Sequence, residues 1–374
     1  MLPRSDEPIL FKDHTAEDLH TLLEPHGVSA RLARRLQAAV LQRGGIPEQM
    51  PEVPRRLLEN VRQTTRIPRL TVIEKVISPT DGFAKYLFRG DGPEVFESVR
   101  IPLLHRRGDE KYVLCVSSQV GCAMGCVFCA TGRMGFRRNL AIWEIVDQVM
   151  QVRDDSPYPV RGVVFMGMGE PMLNYERVMQ AARVMSDPCG LAIDARAITI
   201  STVGIVPMIR RFTAERRPYR LIVSLTSADP EQRGQLLPVE TTHPLSELMA
   251  SVREYHEATG KRVILAWTLL RGVNTRPEDA RRLAELTAGL PVQIDLIEVN
   301  DASGEFLPPP LEELQAFRDA LSAELGMPVV RRYSGGQDIH GGCGMLAGRT
   351  LDATRMASGG RKPPDSSSQQ ESGG

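Results

Sequence analysis

The chain has 374 residues, 42% hydrophobic and 25% charged, and its 46 Lys and Arg balance 46 Asp and Glu. That length predicts two or three domains with ample apolar material for a core, and the zero net charge excludes a global basic field, so any nucleic-acid contact must come from a local basic face. No run approaches the roughly 18 uncharged apolar residues of a membrane span. The first 19 residues carry Arg4, Asp6, Glu7, Lys12 and Asp13 in place of an apolar leader. The chain therefore reads as cytoplasmic, without membrane contact. Six cysteines are too few for a disulfide scaffold, and where they cluster they signal metal or redox chemistry. Only six of the basic residues are Lys, leaving 46 − 6 = 40 Arg, a skew that suits phosphate contacts but is explained as readily by genomic base composition.

The first 65 residues read as helical, with no strand-like run. Asp18, Leu19, Leu22 and Leu23 open a short amphipathic pattern, and a second runs from the N-cap Ser29 through Leu32, Leu36, Ala39, Val40 and Leu41 to Gly44-Gly45. Pro47, Pro51 and Pro54 punctuate the next stretch, and Leu57, Leu58 and Val61 carry a third helix. Residues 1–66 are thus expected to form a helical accessory domain. Residues 67–105 predict a β-rich extension, with strands over Leu70–Ile77, Lys85–Arg89 and Val95–Ile101 separated by Pro-Thr-Asp-Gly and Gly-Asp-Gly-Pro turns.

From 106 to 350 the pattern becomes strand–helix alternation. Strands are predicted over 111–117, 162–167, 197–202, 220–225, 262–269 and 292–298, with a short last one at 328–333. Helices are predicted over 140–153, 174–186, 205–213, 245–258, 278–288 and 311–325. Six βα units imply an α/β fold, either a partial (βα)6 barrel or an open wound sheet, and in both the chemistry belongs at the C-terminal strand ends. The Pro-, Ser-, Gln- and Gly-rich stretch 351–374 predicts a disordered tail.

The most informative segment is Cys122-Ala-Met-Gly-Cys126-Val-Phe-Cys129, just past the first of these strands. A loop this short can curl three thiolates toward one centre. A [4Fe–4S] cluster ordinarily takes four cysteines, so three leave one iron open to an external ligand. Zinc, the alternative, would want a fourth Cys or His nearby. The nearest His is His105, before the strand, and no second Cys-x-x-Cys occurs downstream.

The second strand ends in Gly167-Met-Gly169-Glu170-Pro171. Glycines let backbone approach a ligand there, and Glu170 offers a carboxylate to an ammonium group. Ser201, Ser224-Leu225-Thr226 and Asn300 fall at later strand ends. Each alone would be a cap or turn residue; as a set they make a ring of polar groups. Two cysteines remain outside the cluster loop. Cys115, in a strand, would by default be a small buried hydrophobe. Cys343, among Gly341, Gly342 and Gly344, suits a flexible loop that carries a thiol between positions.

The cysteine triad after a first barrel strand resembles the radical S-adenosylmethionine (SAM) superfamily. The strings Leu-Cys-Val-Ser-Ser-Gln-Val-Gly-Cys (114–122), Gly-Phe-Arg-Arg-Asn-Leu (135–140), Met-Gly-Met-Gly-Glu-Pro (166–171) and Asp338-Ile with Cys343-Gly-Met-Leu narrow the resemblance to the RlmN/Cfr family, over roughly residues 14–350. Members methylate carbon 2 or carbon 8 of adenine in RNA, typically in 23S rRNA or at position 37 of tRNA.

The resemblance implies a partial radical SAM barrel. Cys122, Cys126 and Cys129 would hold a [4Fe–4S] cluster, and Gly169, Glu170, Ser201, Ser224, Leu225, Thr226 and Asn300 would contact SAM. It further implies a ping-pong mechanism: Cys343 takes a methyl group, a SAM-derived radical activates it, and the adenine carbon is captured on Cys343. Cys115 then releases the product with a transient disulfide. Glu97, or Cys115 itself, would accept the ring proton. An electron donor such as flavodoxin or ferredoxin is implied, as is a monomer.

This chain departs from the family pattern at Thr226, where a His is usual, at Gly341-Gly342 and Met345 around Cys343, and at Glu298-Val299 before Asn300. Arg34 and Arg35, Arg210, Arg211, Arg216, Arg217 and Arg220, and Arg331 and Arg332 are candidate RNA contacts, though charge runs on helices are ordinarily just solvated. A radical SAM enzyme with a peptide or small-molecule substrate, and a degenerate RNA-binding homologue, are the competing readings. The first needs neither Cys115 nor Cys343, and the second needs no cluster.

Overall fold

Ten strands lie side by side in the order in which the chain makes them. In this computed structural model, residues 8–104, 107–301, 303–326 and 329–349 are described. The strands are β1 (Thr71–Ile77), β2 (Ala84–Arg89), β3 (Val95–Leu103), β4 (Lys111–Cys115), β5 (Val160–Phe165), β6 (Ile198–Thr202), β7 (Arg220–Ser224), β8 (Val263–Leu269), β9 (Val292–Glu298) and β10 (Val329–Arg332). From β1 to β4 neighbours are antiparallel, and from β4 to β10 they are parallel. A doubly wound sheet starts at its centre and reverses direction. Here the order never reverses, so every crossover winds the same way, as in a barrel that stops short of closure. Of the two architectures open to the sequence, this is the partial barrel.

Three helices precede the sheet: α1 (Ala16–Leu23), α2 (Ala30–Arg43) and α3 (Arg55–Thr64). Thr15 and Asp18 form a capping box on α1, and Ser29 accepts from Leu32 N (3.3 Å) at the start of α2, each satisfying backbone N–H groups that a helix start leaves free. The barrel adds α4 (Ala130–Arg133), α5 (Ile142–Asp154), α6 (Tyr175–Ser186), α7 (Val206–Ala214), α8 (Pro230–Leu236), α9 (Leu245–Thr259), α10 (Pro277–Leu286) and α11 (Leu311–Leu325).

The six long helices of the alternation lie within two residues of expectation. The short α4 and α8 escape the periodicity, being too brief to show an apolar stripe. The first 65 residues do contain a strand: Ile9–Leu10 pairs in parallel with Thr65–Arg66, a two-residue contact that leaves no alternation to read. The expected tail at 351–374 lies outside the described residues, as do His105 and the first residue of the expected last strand.

One apolar core runs without a break from Leu19, Leu36 and Val61 in the N-terminal helices to Ile200, Val223 and Leu265 in the barrel. The helical segment is fastened by a fully buried ion pair, Lys12 Nζ to Asp147 Oδ1 at 2.5 Å. The second oxygen of Asp147 accepts from Leu70 N (2.6 Å). Ala16 N donates to Asp187 (2.8 Å) and Gln180 to Asp13 O (2.9 Å). A separate small cluster of Ile222, Ala266 and Ile297, with Met166 and Ile264 against it, lies on the opposite face of the strands, inside the barrel.

Candidate active site

Side chains alternate across a strand, and this decides which groups look into the barrel. Leu114 and Val116 pack into the core under the helices, as do Ile200 and Val223. Cys115, Ser201 and Ser224, their sequence neighbours, therefore face the interior.

The cluster loop leaves β4 through a ribbon in which Gln119–Val120 pairs with Arg138–Asn139. Val127 N donates to Leu236 O (3.2 Å) and Cys129 N to Cys126 O (3.1 Å), curling the loop against α8. Cys122 is buried, and Cys126 and Cys129 are half-buried. Burial pushes the Cys122 thiol up to about 12, with Glu170 and Cys129 adding negative charge. Cys126 is raised in the same way, by burial first and then by Cys129, Cys122 and Glu170. Among the described residues no three His, Cys, Asp or Glu side chains stand close enough to share one ion. Three sulfurs that feel one another's charge, with no fourth ligand, fit the wider span of an iron–sulfur cluster better than one tetrahedral ion.

Glu170 is buried beside this loop, and burial raises its carboxyl to about 7 against the pull of its hydrogen bonds. Its oxygens accept from Met172 N (2.9 Å) and Val203 N (2.9 Å). Gly169 has φ +99°, and a Cβ there would lie 2.4 Å from the Gln119 side chain, so only glycine fits. Leu225 and Thr226 are fully buried, and the amide of each donates to Ala266 O. Thr226 has φ +59°, uncommon for a β-branched residue, and its buried hydroxyl has no partner. A strained residue with an unsatisfied hydroxyl at a strand end is what a polar ligand would complete.

The Cys343 loop closes over these strand ends. Asn300 Nδ2 donates to Ser334 Oγ (2.6 Å) and Cys343 O (3.4 Å), and Ser334 Oγ accepts from Cys343 N (3.2 Å). Ala130 N donates to Gly344 O (2.8 Å) and Thr131 Oγ1 to Leu346 O (2.6 Å), tying this loop to α4 behind the cluster loop. Of the glycines here, Gly342 is required by close packing: a Cβ on it would come within 2.9 Å of Asn300 Nδ2.

Cys343 is exposed, yet it is crowded enough that lost hydration, and then Cys129, push its thiol up to about 11. The half-buried Cys115 is raised further, by burial and then by Cys343. Both cysteines are free thiols. Cys343 thus stands within electrostatic reach of both Cys115 and Cys129.

Glu97 is buried, with Oε1 2.9 Å from the equally buried Lys85 Nζ. Its Oε2 accepts from Ala347 N (2.8 Å) and Gly348 N (3.0 Å). It therefore anchors the end of the Cys343 loop. Across β3 and β4 it is Val99, two residues on, that stands opposite Cys115. The β extension holds the start of the same loop, where Asp81 Oδ2 accepts from Gly336 N (2.8 Å) and Ser78 donates to Asp338 (3.0 Å).

The sequence assigns no role to Lys85, Asp81 or Ser334, nor to Gln119, whose Oε1 accepts from Glu170 N (2.8 Å). Of the arginines considered for RNA, Arg210, Arg211, Arg217, Arg331 and Arg332 are each paired with a carboxylate, which leaves less free positive charge than the sequence offers. No helix among the described residues is long and apolar enough to cross a membrane.

Comparison with known proteins agrees with this geometry. The Radical SAM superfamily profile matches residues 116–284. A Myxococcus xanthus protein named "Probable RNA methyltransferase" is 46% identical over 95% of this chain and 98% of its own length. The dual-specificity RNA methyltransferase RlmN of Syntrophobacter fumaroxidans is 40% identical over 91% of this chain and 98% of its own. Among solved structures, a radical SAM methyltransferase from Sphaerobacter thermophilus superposes with a TM-score of 0.83 at 34% identity, covering 91% of this chain and all of that one. With relatives of 40–46% identity and a solved methyltransferase fold matched over nearly the whole length, the chain belongs to the RlmN family of radical SAM RNA methyltransferases.

Proposed function

We propose that this RNA methyltransferase transfers the methyl group of SAM to carbon 2 of an adenine in rRNA or tRNA, with Cys343 as covalent carrier. The observation that supports the reading is that Cys343 lies within electrostatic reach of both Cys115 and Cys129, its loop bonded to Ala130, since hydrogen abstraction alone would need neither extra thiol. Cys122, Cys126 and Cys129 would hold a [4Fe–4S] cluster. Glu170 would receive the SAM ammonium, with Gly169, Ser201, Ser224, Leu225, Thr226 and Asn300 completing the pocket. When bound there and reduced by a flavodoxin- or ferredoxin-like donor, cluster and SAM supply the radical that takes hydrogen from an S-methyl group.

Adenine carbon 2 is too electron-poor to displace a methyl group from SAM, but a thiolate can. The Cys343 thiol gives up its proton, and its sulfur takes the methyl carbon as S-adenosylhomocysteine leaves. The barrel mouth then presents this methyl group to the base. Once carbon 2 is bonded to the carrier methylene, the radical adduct gives up one electron, for which the oxidised cluster would be the acceptor, and its ring proton passes to Glu97 or Cys115. Cys115 could accept it only as the thiolate, which burial disfavours; Glu97 must first free an oxygen from Lys85 or from the 347–348 amides. Cys115 sulfur, having lost its proton, then bonds to Cys343 sulfur as the carbon–sulfur bond breaks. The released methylene carbon takes up a proton to become the methyl group, and an external thiol reduces the disulfide before the next turnover. Mass spectrometry of rRNA and tRNA nucleosides from cells with and without the gene tests the reading. Loss of 2-methyladenosine on deletion is expected, and an unchanged nucleoside profile would overturn it.

A further inference from the structure

A buried cation sits against the cluster loop, and the methyl transfer does not use it. Arg233, on α8, is fully buried. Its guanidinium pairs with Glu240, donates to Val203 O (2.8 Å), and keeps a buried Nε–H with no partner. The Val203 amide on the same peptide segment donates to Glu170 (2.9 Å), so one residue joins the arginine to the carboxylate beside the thiols. The helix that carries Arg233 is also the wall of the cluster loop. Val127 N donates to Leu236 O, and a Cβ added to Gly125 would meet the Pro238 ring at 3.7 Å. Arg233 lies within electrostatic reach of Cys126.

A buried ion pair is seldom more stable than apolar side chains of the same size, so stability does not explain a guanidinium here. Charge does. A thiolate-bound cluster gains a further negative charge on reduction, and its potential depends on local charge, hydrogen bonding and exposure to water. Away from water a fixed positive charge acts strongly over several ångströms.

We propose that Arg233 is an electrostatic positioning residue for the iron–sulfur site, the fixed positive charge that favours the reduced cluster, with Glu240 offsetting part of it. This rests on the cluster reading above.

The test is a redox titration of anaerobically reconstituted full-length protein, together with the spectrum of the reduced cluster, with iron content measured alongside. In Arg233→Met the ratio of reduced to oxidised cluster at a fixed poise should fall by about tenfold, which is about 59 mV for one electron. Arg233→Lys should stay close to wild type, and Glu240→Gln should move the opposite way. Opposite signs cannot come from loosened packing, and the Lys and Gln variants decide the matter even where Arg233→Met fails to fold. Unchanged potentials, or a Lys variant displaced as far as the Met variant, would overturn the inference. Wild-type protein that takes up no iron would instead overturn the cluster on which it rests.

Discussion

The loop bearing Cys122, Cys126 and Cys129 and the loop bearing Cys343 meet at one barrel mouth, but they are built differently. The first draws its three thiols from eight consecutive residues and is shaped mainly by its own turn and by α8 behind it. The second has one reactive residue, held by Asn300 and Ser334, by Ala130 and Thr131 on α4, and by Glu97 and Asp81 of the β extension. The β strands before the barrel are thus the cradle of the Cys343 loop. A local motif can shape a ligand-binding loop wherever its strand ends. A thiol proposed as carrier would have to reach two partners in turn, and that takes anchors from several parts of the chain.

Separating the two loops chemically should give the largest effects. Cys343→Ala should abolish RNA methylation and leave iron content unchanged, whereas replacing Cys122, Cys126 and Cys129 together should remove iron and SAM cleavage. Cys115→Ala should stop the reaction as a covalent protein–RNA adduct, seen as a nuclease-sensitive gel shift and absent from the double variant with Cys343→Ala. Methylated RNA from Cys343→Ala would show that no carrier operates.

The anchor of the second loop offers the next contrast. Glu97→Ala leaves Lys85 buried without a counter-charge, a loss of about 3 kcal/mol in stability, and it frees residues 347–348. RNA methylation should fall by about a hundredfold, the scale of a displaced catalytic group, while iron content and RNA-independent SAM cleavage hold. Equal loss of all three would mean that the loops are not separately built.

Lys12→Met probes the N-terminal helices, which share the barrel's core. It strands the Asp147 carboxylate and should cost about 3 kcal/mol in urea unfolding, with no change in iron content. Two unfolding transitions, the helices melting first, would argue against one continuous core.

The smallest effect concerns Asp13, next to that pair. Burial raises its carboxyl from 3.8 to about 6, against a backbone hydrogen bond from Trp143 and the charge of Arg177. The folded state therefore binds more protons than the unfolded one between those values, and this group's contribution to stability falls as pH rises through the window. Asp13→Asn should stabilise the protein by about 2 kcal/mol at pH 7.5, a two-unit shift discounted for lost hydrogen bonds, and by nothing near pH 3.5. Urea midpoints at the two pH values check it, and a benefit independent of pH would refute the assignment.

The alternation of apolar strands and amphipathic helices determined the α/β class and the seven-strand parallel run, because period and length are local properties. The cysteine spacing determined the cluster loop for the same reason. Glu170 and Thr226 could be placed at strand ends, but not the left-handed backbone and unpartnered hydroxyl of Thr226, which depend on the neighbouring strand. Whether the sheet wound one way or two was open in the sequence, since strand order is a matter of crossover direction. Only the tertiary structure decided that the β extension holds the Cys343 loop, that Glu97 faces Lys85, and that Arg233 lies within electrostatic reach of Cys126. Each joins groups far apart in the chain, and a buried charge takes its meaning from what surrounds it.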